Sequence, residues 1–121
     1  MNPTELAGAS DVEDAIDSYL KRREGQRGID TYSWMVRLLC TSRSATPRVL
    51  MTSTATAIVV DSDEGWVICC LDGAPETCAA LIEHVRKDSN GIRIRGLALP
   101  GDRTTKNLFE EARLPAQLLI H

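Results

Sequence analysis

The apolar positions of this chain fall into segments with different spacings, and each spacing predicts an element. Val12, Ala15, Ile16, Tyr19 and Leu20 recur every three or four residues, which gathers them on one face of a helix. Ser10-Asp11 offers an N-cap, and Glu13 and Asp14 lie in the first turn where the helix dipole favours anions. Lys21, Arg22 and Arg23 occupy the last turn, and Gly25 and Gly28 end the segment. An amphipathic helix is therefore expected after a frayed tail over residues 1–9. "YSWMVRLLCTS", Tyr32 to Ser42, alternates weakly and is rich in strand formers, so it reads as a strand. Pro47 breaks the next stretch, where Val49, Leu50 and Met51 fit either one helical turn or a short strand.

Two apolar runs follow, Ile58-Val59-Val60 and Trp66 to Leu71, with Asp61 to Gly65 between them as a hairpin turn. Pro75 suits a first helical position, and Cys78, Leu81, Ile82 and Val85 make the apolar face of a second helix that ends at Asn90-Gly91. Ile92 to Leu99 alternates apolar residues with arginines, as in a half-exposed strand. Asp102 or Thr104 can cap a short helix through Asn107, Leu108, Phe109 and Ala112, and Ala116 to His121 forms a last strand. This order predicts an α+β, ferredoxin-like sandwich: a mainly antiparallel sheet with helices on one face, plus the N-terminal helix. Residues 1–28 form the tail and amphipathic helix, and 29–121 the ferredoxin-like body.

Composition narrows the classes. A chain of 121 residues is one domain and can bury a core without metal or disulfide staples. Its net charge of −3 and its scattered arginines argue against a nucleic-acid module. No apolar run reaches the ~18 residues of a membrane span, and no secretory signal is expected at the start. Cys40, Cys69, Cys70 and Cys78 have neither metal-ligand spacing nor the density of a disulfide scaffold. The expectation is a cytoplasmic protein with reduced thiols and no resident metal.

Candidate chemistry is sparse. The glycines are isolated turn residues rather than a phosphate loop, and no nucleophile–base or paired-carboxylate motif is present, so no catalytic residue is expected. His84 on a helix and the terminal His121 read as solvated. The acidic turn Asp61, Asp63, Glu64 also reads as solvated rather than as a cation site. Trp34 and Trp66 could stack on a planar ligand, but anchoring in a core or interface is the commoner use. Cys69 and Cys70 are adjacent on a strand, so they should point to opposite faces and act poorly as a dithiol. Cys78 near a helix N-terminus is expected to pack on the buried stripe.

"MVRLLCTSRSA", Met35 to Ala45, resembles the first strand of BLUF domains, the flavin-binding blue-light sensors. "EGWVICCLDGAPETCAALIEHVRKDSNGIRI" resembles that family's third strand, second helix and fourth strand, with Leu71-Asp72-Gly73 in place of its Leu-Glu-Gly. The resemblance covers Met35 to about Leu99. It implies that Cys40 stands where the family has its photoactive tyrosine and Cys69 where it has its flavin-bridging glutamine. A thiol cannot replace an amide donor–acceptor pair. The family's helix between the first and second strands is also reduced to Thr46–Thr56.

The resemblance therefore implies a sensory or regulatory domain without flavin, working through protein contacts as a homodimer or on a protein partner. The N-terminal stripe Val12, Ile16, Tyr19 and Leu20, with Trp34 and Trp66, supplies the candidate contacts. Two alternatives stand beside it: a photoreceptor that binds FAD in an altered pocket, and a thiol-based redox sensor using Cys69, Cys70 or Cys78.

Overall fold

Apolar side chains alternate along three consecutive strands, and both resulting faces are apolar, so both must be covered. The computed structural model describes residues 3–62, 65–90 and 93–118, without the side chains of Ser62 and of residues 116–118. Its elements are β1 (Thr4–Leu6), α1 (Ala9–Arg22), α2 (Ile29–Thr41), β2 (Thr46–Met51), β3 (Ala55–Ser62), β4 (Gly65–Gly73), α3 (Pro75–Ser89), β5 (Ile94–Ala98), α4 (Arg103–Glu111) and β6 (Ala116–Leu118). The strands lie side by side in sequence order in one sheet. β1 to β4 pair antiparallel, while β4–β5 and β5–β6 are parallel.

The α+β class holds, but the sheet is mixed and its helices cover both faces, not one. Ala57, Val59, Ile68 and Leu71 face α3 and α4 in one core, with Leu81, Ile82, Val85 and Phe109. Ile58 and Val60, the alternate residues of β3, face α1 and α2 in a second core, with Val12, Ile16, Tyr19, Tyr32 and Val36. The parallel pairings explain α3 and α4, because a strand can return parallel only through a crossover, and these helices are the crossovers.

Three further expectations change. The tail expected over residues 1–9 contains β1, which pairs with Val49–Met51. The segment Thr46–Met51 is a strand, and Pro47 is tolerated because β1 pairs only with residues 49–51 and leaves that end of β2 an edge. The third change is the largest: Tyr32 to Ser42 is not a strand but lies almost wholly in α2. Ile29, Tyr32, Val36, Leu39 and Cys40 turn inward at helical spacing, with Tyr32 and Val36 fully buried. The β-branched and aromatic residues there suggested a strand, but contact with the sheet overrides so weak a propensity. The segment that resembles a BLUF first strand is thus helical in this chain.

α3 starts with Pro75 in its first turn and closes at Asn90, which adopts the left-handed conformation with φ 51°. Asp102 caps α4, accepting a hydrogen bond from the Thr105 backbone N–H at 3.1 Å. Gly96 is not a turn residue: it lies inside β5, and a Cβ there would sit 2.5 Å from the Phe109 ring. Gly73 ends β4 with φ 125°, where a side chain would collide with the Thr54 carbonyl. Asp63, Glu64, Gly91 and His121 lie outside the described residues.

Candidate functional site

Period-two alternation fails once along β4, and that failure builds the most chemically loaded part of the molecule. Ile58 pairs with Cys70, but its neighbour Val59 pairs with Ile68, so Cys69 is an extra residue without a partner on β3. Such a bulge re-aims the side chain it contains. Cys69 and Cys70 consequently enter the same core, against α1 and α2, rather than facing opposite sides of the sheet. The expected orientation of the two thiols is overturned by this one residue of register.

α2 brings Cys40 and Tyr32 onto the bulge. The Tyr32 hydroxyl donates to the Cys69 carbonyl, and its oxygen lies 3.8 Å from the Cys70 sulfur and 3.4 Å from the Tyr19 hydroxyl. The two tyrosine rings stack with centroids 5.7 Å apart. Cys69 is fully buried, with its sulfur 3.5 Å from the Ile58 carbonyl. Cys40, half-buried, packs against the core that holds Cys69 and Cys70. All four cysteines are free.

These contacts separate the thiols by character. Its neighbour Cys69 lowers the Cys40 thiol pKa; burial and Glu13 oppose that shift and Arg37 assists it. Cys69 moves the other way, raised by Cys40, by Cys70 and by burial. Tyr32 and Tyr19 are both raised, chiefly by burial. Cys40 is half-buried and lines a cavity of about 230 Å³ with Val12, Glu13, Ile16, Arg37 and Pro47. Cys78 lies across the sheet in the other core, and burial pushes its thiol up to about 11.

A charged clamp borders the cluster at the carboxyl end of β4. The Arg23 guanidinium lies 3.8 Å over the Tyr19 ring, 3.2 Å from Asp72 and 3.9 Å from Asp102, and Arg22 also pairs with Asp72. Burial works against the Arg23 charge, but Tyr19, Asp72 and Asp102 more than offset it and its pKa rises. An open cleft of about 440 Å³ lies here, at the ends of parallel strands where α/β sheets commonly bind ligands. Its charges already answer one another, since Arg23 bridges Asp72 and Asp102 while Asp102 also caps α4. The clamp is best explained as the tie that holds α1 to the sheet.

The contact candidates read from the sequence divide sharply. Val12, Ile16 and Tyr19 are buried against this chain's own sheet, and Leu20 is half-buried beside them. Trp66 is buried in the α3–α4 core with Arg48 stacked 4.5 Å over its ring. Trp34 stands out at 64% exposed, one helical turn from Leu38 at 54%. A strand reading of this segment hides Leu38, whose place beside Trp34 depends on helical spacing. Among the described residues no three His, Cys, Asp or Glu side chains are placed to hold a metal ion. No described helix is long and apolar enough to cross a membrane.

No family model, curated protein or solved structure matches this chain.

Proposed function

We propose that this is a non-catalytic regulatory domain that works through protein contacts, pairing with a second copy of itself across the outer face of α2. The observation that carries the reading is the exposed pair Trp34 and Leu38 on a helix whose polar residues Asp30, Ser33, Arg37 and Thr41 gather on one side, leaving the pair on an apolar outer strip. A helix of that kind is normally covered. Met35 and Leu39 flank the pair, half-buried, and widen the apolar strip.

The ends of the strip favour a second copy over an unrelated partner. Asp30 is exposed in the first turn of α2, and Arg43 is exposed just beyond its last residue. An antiparallel pair of α2 helices, related by a two-fold axis near Val36, sets Trp34 of each chain against Leu38 of its partner. The same operation brings each Asp30 toward the other chain's Arg43. An apolar centre with opposite charges at its two ends is the self-complementary pattern that a two-fold interface requires. The contact first expected of α1 therefore moves to α2, since α1 spends its stripe on its own sheet.

Size-exclusion chromatography with light scattering tests this on the full chain. A dimer is expected, converted to a folded monomer by Trp34→Asp or Leu38→Asp. Asp30→Arg should weaken the pair, and adding Arg43→Asp should restore it. A full-length chain that stays monomeric at its highest soluble concentration overturns the reading.

A further inference from the structure

A cavity of about 220 Å³ lies between α1 and the side of the sheet that α1 covers, reaching from β1 to β4. We infer that it binds a small organic ammonium ion: one aromatic ring carrying a short protonated amine. Neither Trp34 nor Leu38 lines this cavity, so the inference is independent of how α2 pairs.

The space follows from side-chain size. α1 rests on the sheet through Val12, Ile16 and Tyr19, but beside that stripe only the small Ala15 and Ser18 lie over the cavity. Ile58 and Cys70, both buried, close its inner end. Leu6 of β1 and Met51 of β2 wall its outer side. Met51 is 38% exposed, and among the described residues Trp34 and Leu38 are the only other large apolar side chains so open to solvent. Its flexible thioether suits contact with an aromatic ring. An apolar cavity of ~150 Å³ can hold benzene. A volume of about 220 Å³ therefore accommodates one ring with a short chain.

The enclosed apolar volume makes the site, and the charges at its mouth select the ligand. Three carboxylates, Asp11, Asp14 and Asp72, border the cavity against one guanidinium, Arg22. Arg22 is already paired with Asp72, which also holds Arg23. Asp11 and Asp14 are exposed and make no ion pair among the described residues. Three positions apart on α1, they are neighbours on one helix face. Asp11 also answers the dipole of α1 from its first turn, so Asp14 is the main partner for a bound cation. An anion would meet both carboxylates and could reach Arg22 only by displacing Asp72. The ring lies inward against Leu6, Ala15 and Met51, while the ammonium group stays at the mouth beside Asp14 and keeps part of its water.

The test is amide NMR of the full chain titrated with phenethylammonium chloride at low salt. Saturable shifts are expected around Leu6, Ala15, Ser18 and Met51. Phenethyl alcohol, which keeps the shape without the charge, should bind at the same residues about two- to fivefold more weakly, the weight of an exposed ion pair. Phenylacetate should bind more weakly still. Asp11→Asn combined with Asp14→Asn should bring the amine down to the affinity of the alcohol and leave the alcohol unchanged. Ser18→Leu, at an exposed helical position that tolerates leucine, should fill the cavity and abolish binding of both. If Ser18→Leu does not fold, the paired asparagine variant, which changes only surface groups, decides alone. No saturable shift up to the solubility limit of the amine, or shifts centred on other residues, overturns the inference. So does an alcohol or carboxylate that binds as tightly as the amine, or an advantage of the amine that survives the loss of both carboxylates.

Discussion

The Tyr32 hydroxyl donates to the backbone carbonyl of Cys69, the one residue by which β4 departs from its register with β3. A bulge leaves its extra residue outside the ladder, so its carbonyl needs a partner from elsewhere, and α2 supplies it. One side chain thereby fixes α2, the bulge and the direction of two thiols together. Tyr32→Phe keeps the ring and removes the donor. It should destabilise the fold by about 1–3 kcal/mol, the cost of an unpaired buried polar group. Urea unfolding measures it, and an unchanged midpoint would show that the bulge does not depend on this bond.

Gly96 meets Phe109 where the strand β5 and the helix α4 touch. A Cβ at Gly96 would lie 2.5–2.6 Å from three atoms of the Phe109 ring, which is fully buried and has nowhere to retreat. Gly96→Ala should cost about 1–3 kcal/mol as overpacking. Combining it with Phe109→Leu should cost less than the sum of the two single changes, because the smaller side chain clears the added methyl. Thermal denaturation of the four proteins checks the non-additivity.

Cys78 makes stability depend on alkaline pH. Its thiol ordinarily titrates near 9.0 and is pushed up to about 11 in the fold, mainly by burial and then by Asp72. The folded chain therefore holds its proton after the unfolded chain has lost it. That contribution is complete below pH 9 and is lost as pH rises toward about 11. Cys78→Ala should flatten the decline over this window relative to wild type without abolishing it, because Cys69, Tyr19 and Tyr32 are also raised and continue to contribute. Chemical denaturation at a series of alkaline pH values reads the difference.

Two arginines on the same side of the sheet should differ in weight. Arg37 pairs with Glu13 and Asp17 at the surface, where an ion pair is worth about 0–1 kcal/mol. Arg23 is largely covered, stacks on Tyr19 and answers Asp72 and Asp102, so its removal leaves the partly buried Asp102 without its cation and Asp72 with Arg22 alone. Arg37→Ala should move the urea midpoint little, and Arg23→Ala clearly more. Equal effects would mean that the clamp is no better than a surface pair.

Local patterning was enough to place α3, the β3–β4 hairpin and the start of α4, with the cap narrowed to Asp102 or Thr104, because each rests on contacts within a few residues: an apolar stripe, two β runs around a polar turn, and a side chain bonding its own backbone. It also marked the apolar stripe Val12, Ile16 and Tyr19, and it put Cys40 and Cys69 forward as positions of interest. It could not say what the stripe packs against. The apolar run Ile58-Val59-Val60 of β3 is equally consistent with one covered face or two, and only the assembled sheet shows α1 and α2 on one side and α3 and α4 on the other. Nor could it distinguish helix from strand over Tyr32 to Ser42, where intrinsic preference is small beside the burial of Tyr32 and Val36. The bulge is the sharpest case. Alternation along a strand is a local rule, but register is a relation between two strands. The extra residue at Cys69 exists only in the pairing of β4 with β3, so the tertiary structure alone decided that the two thiols face one way.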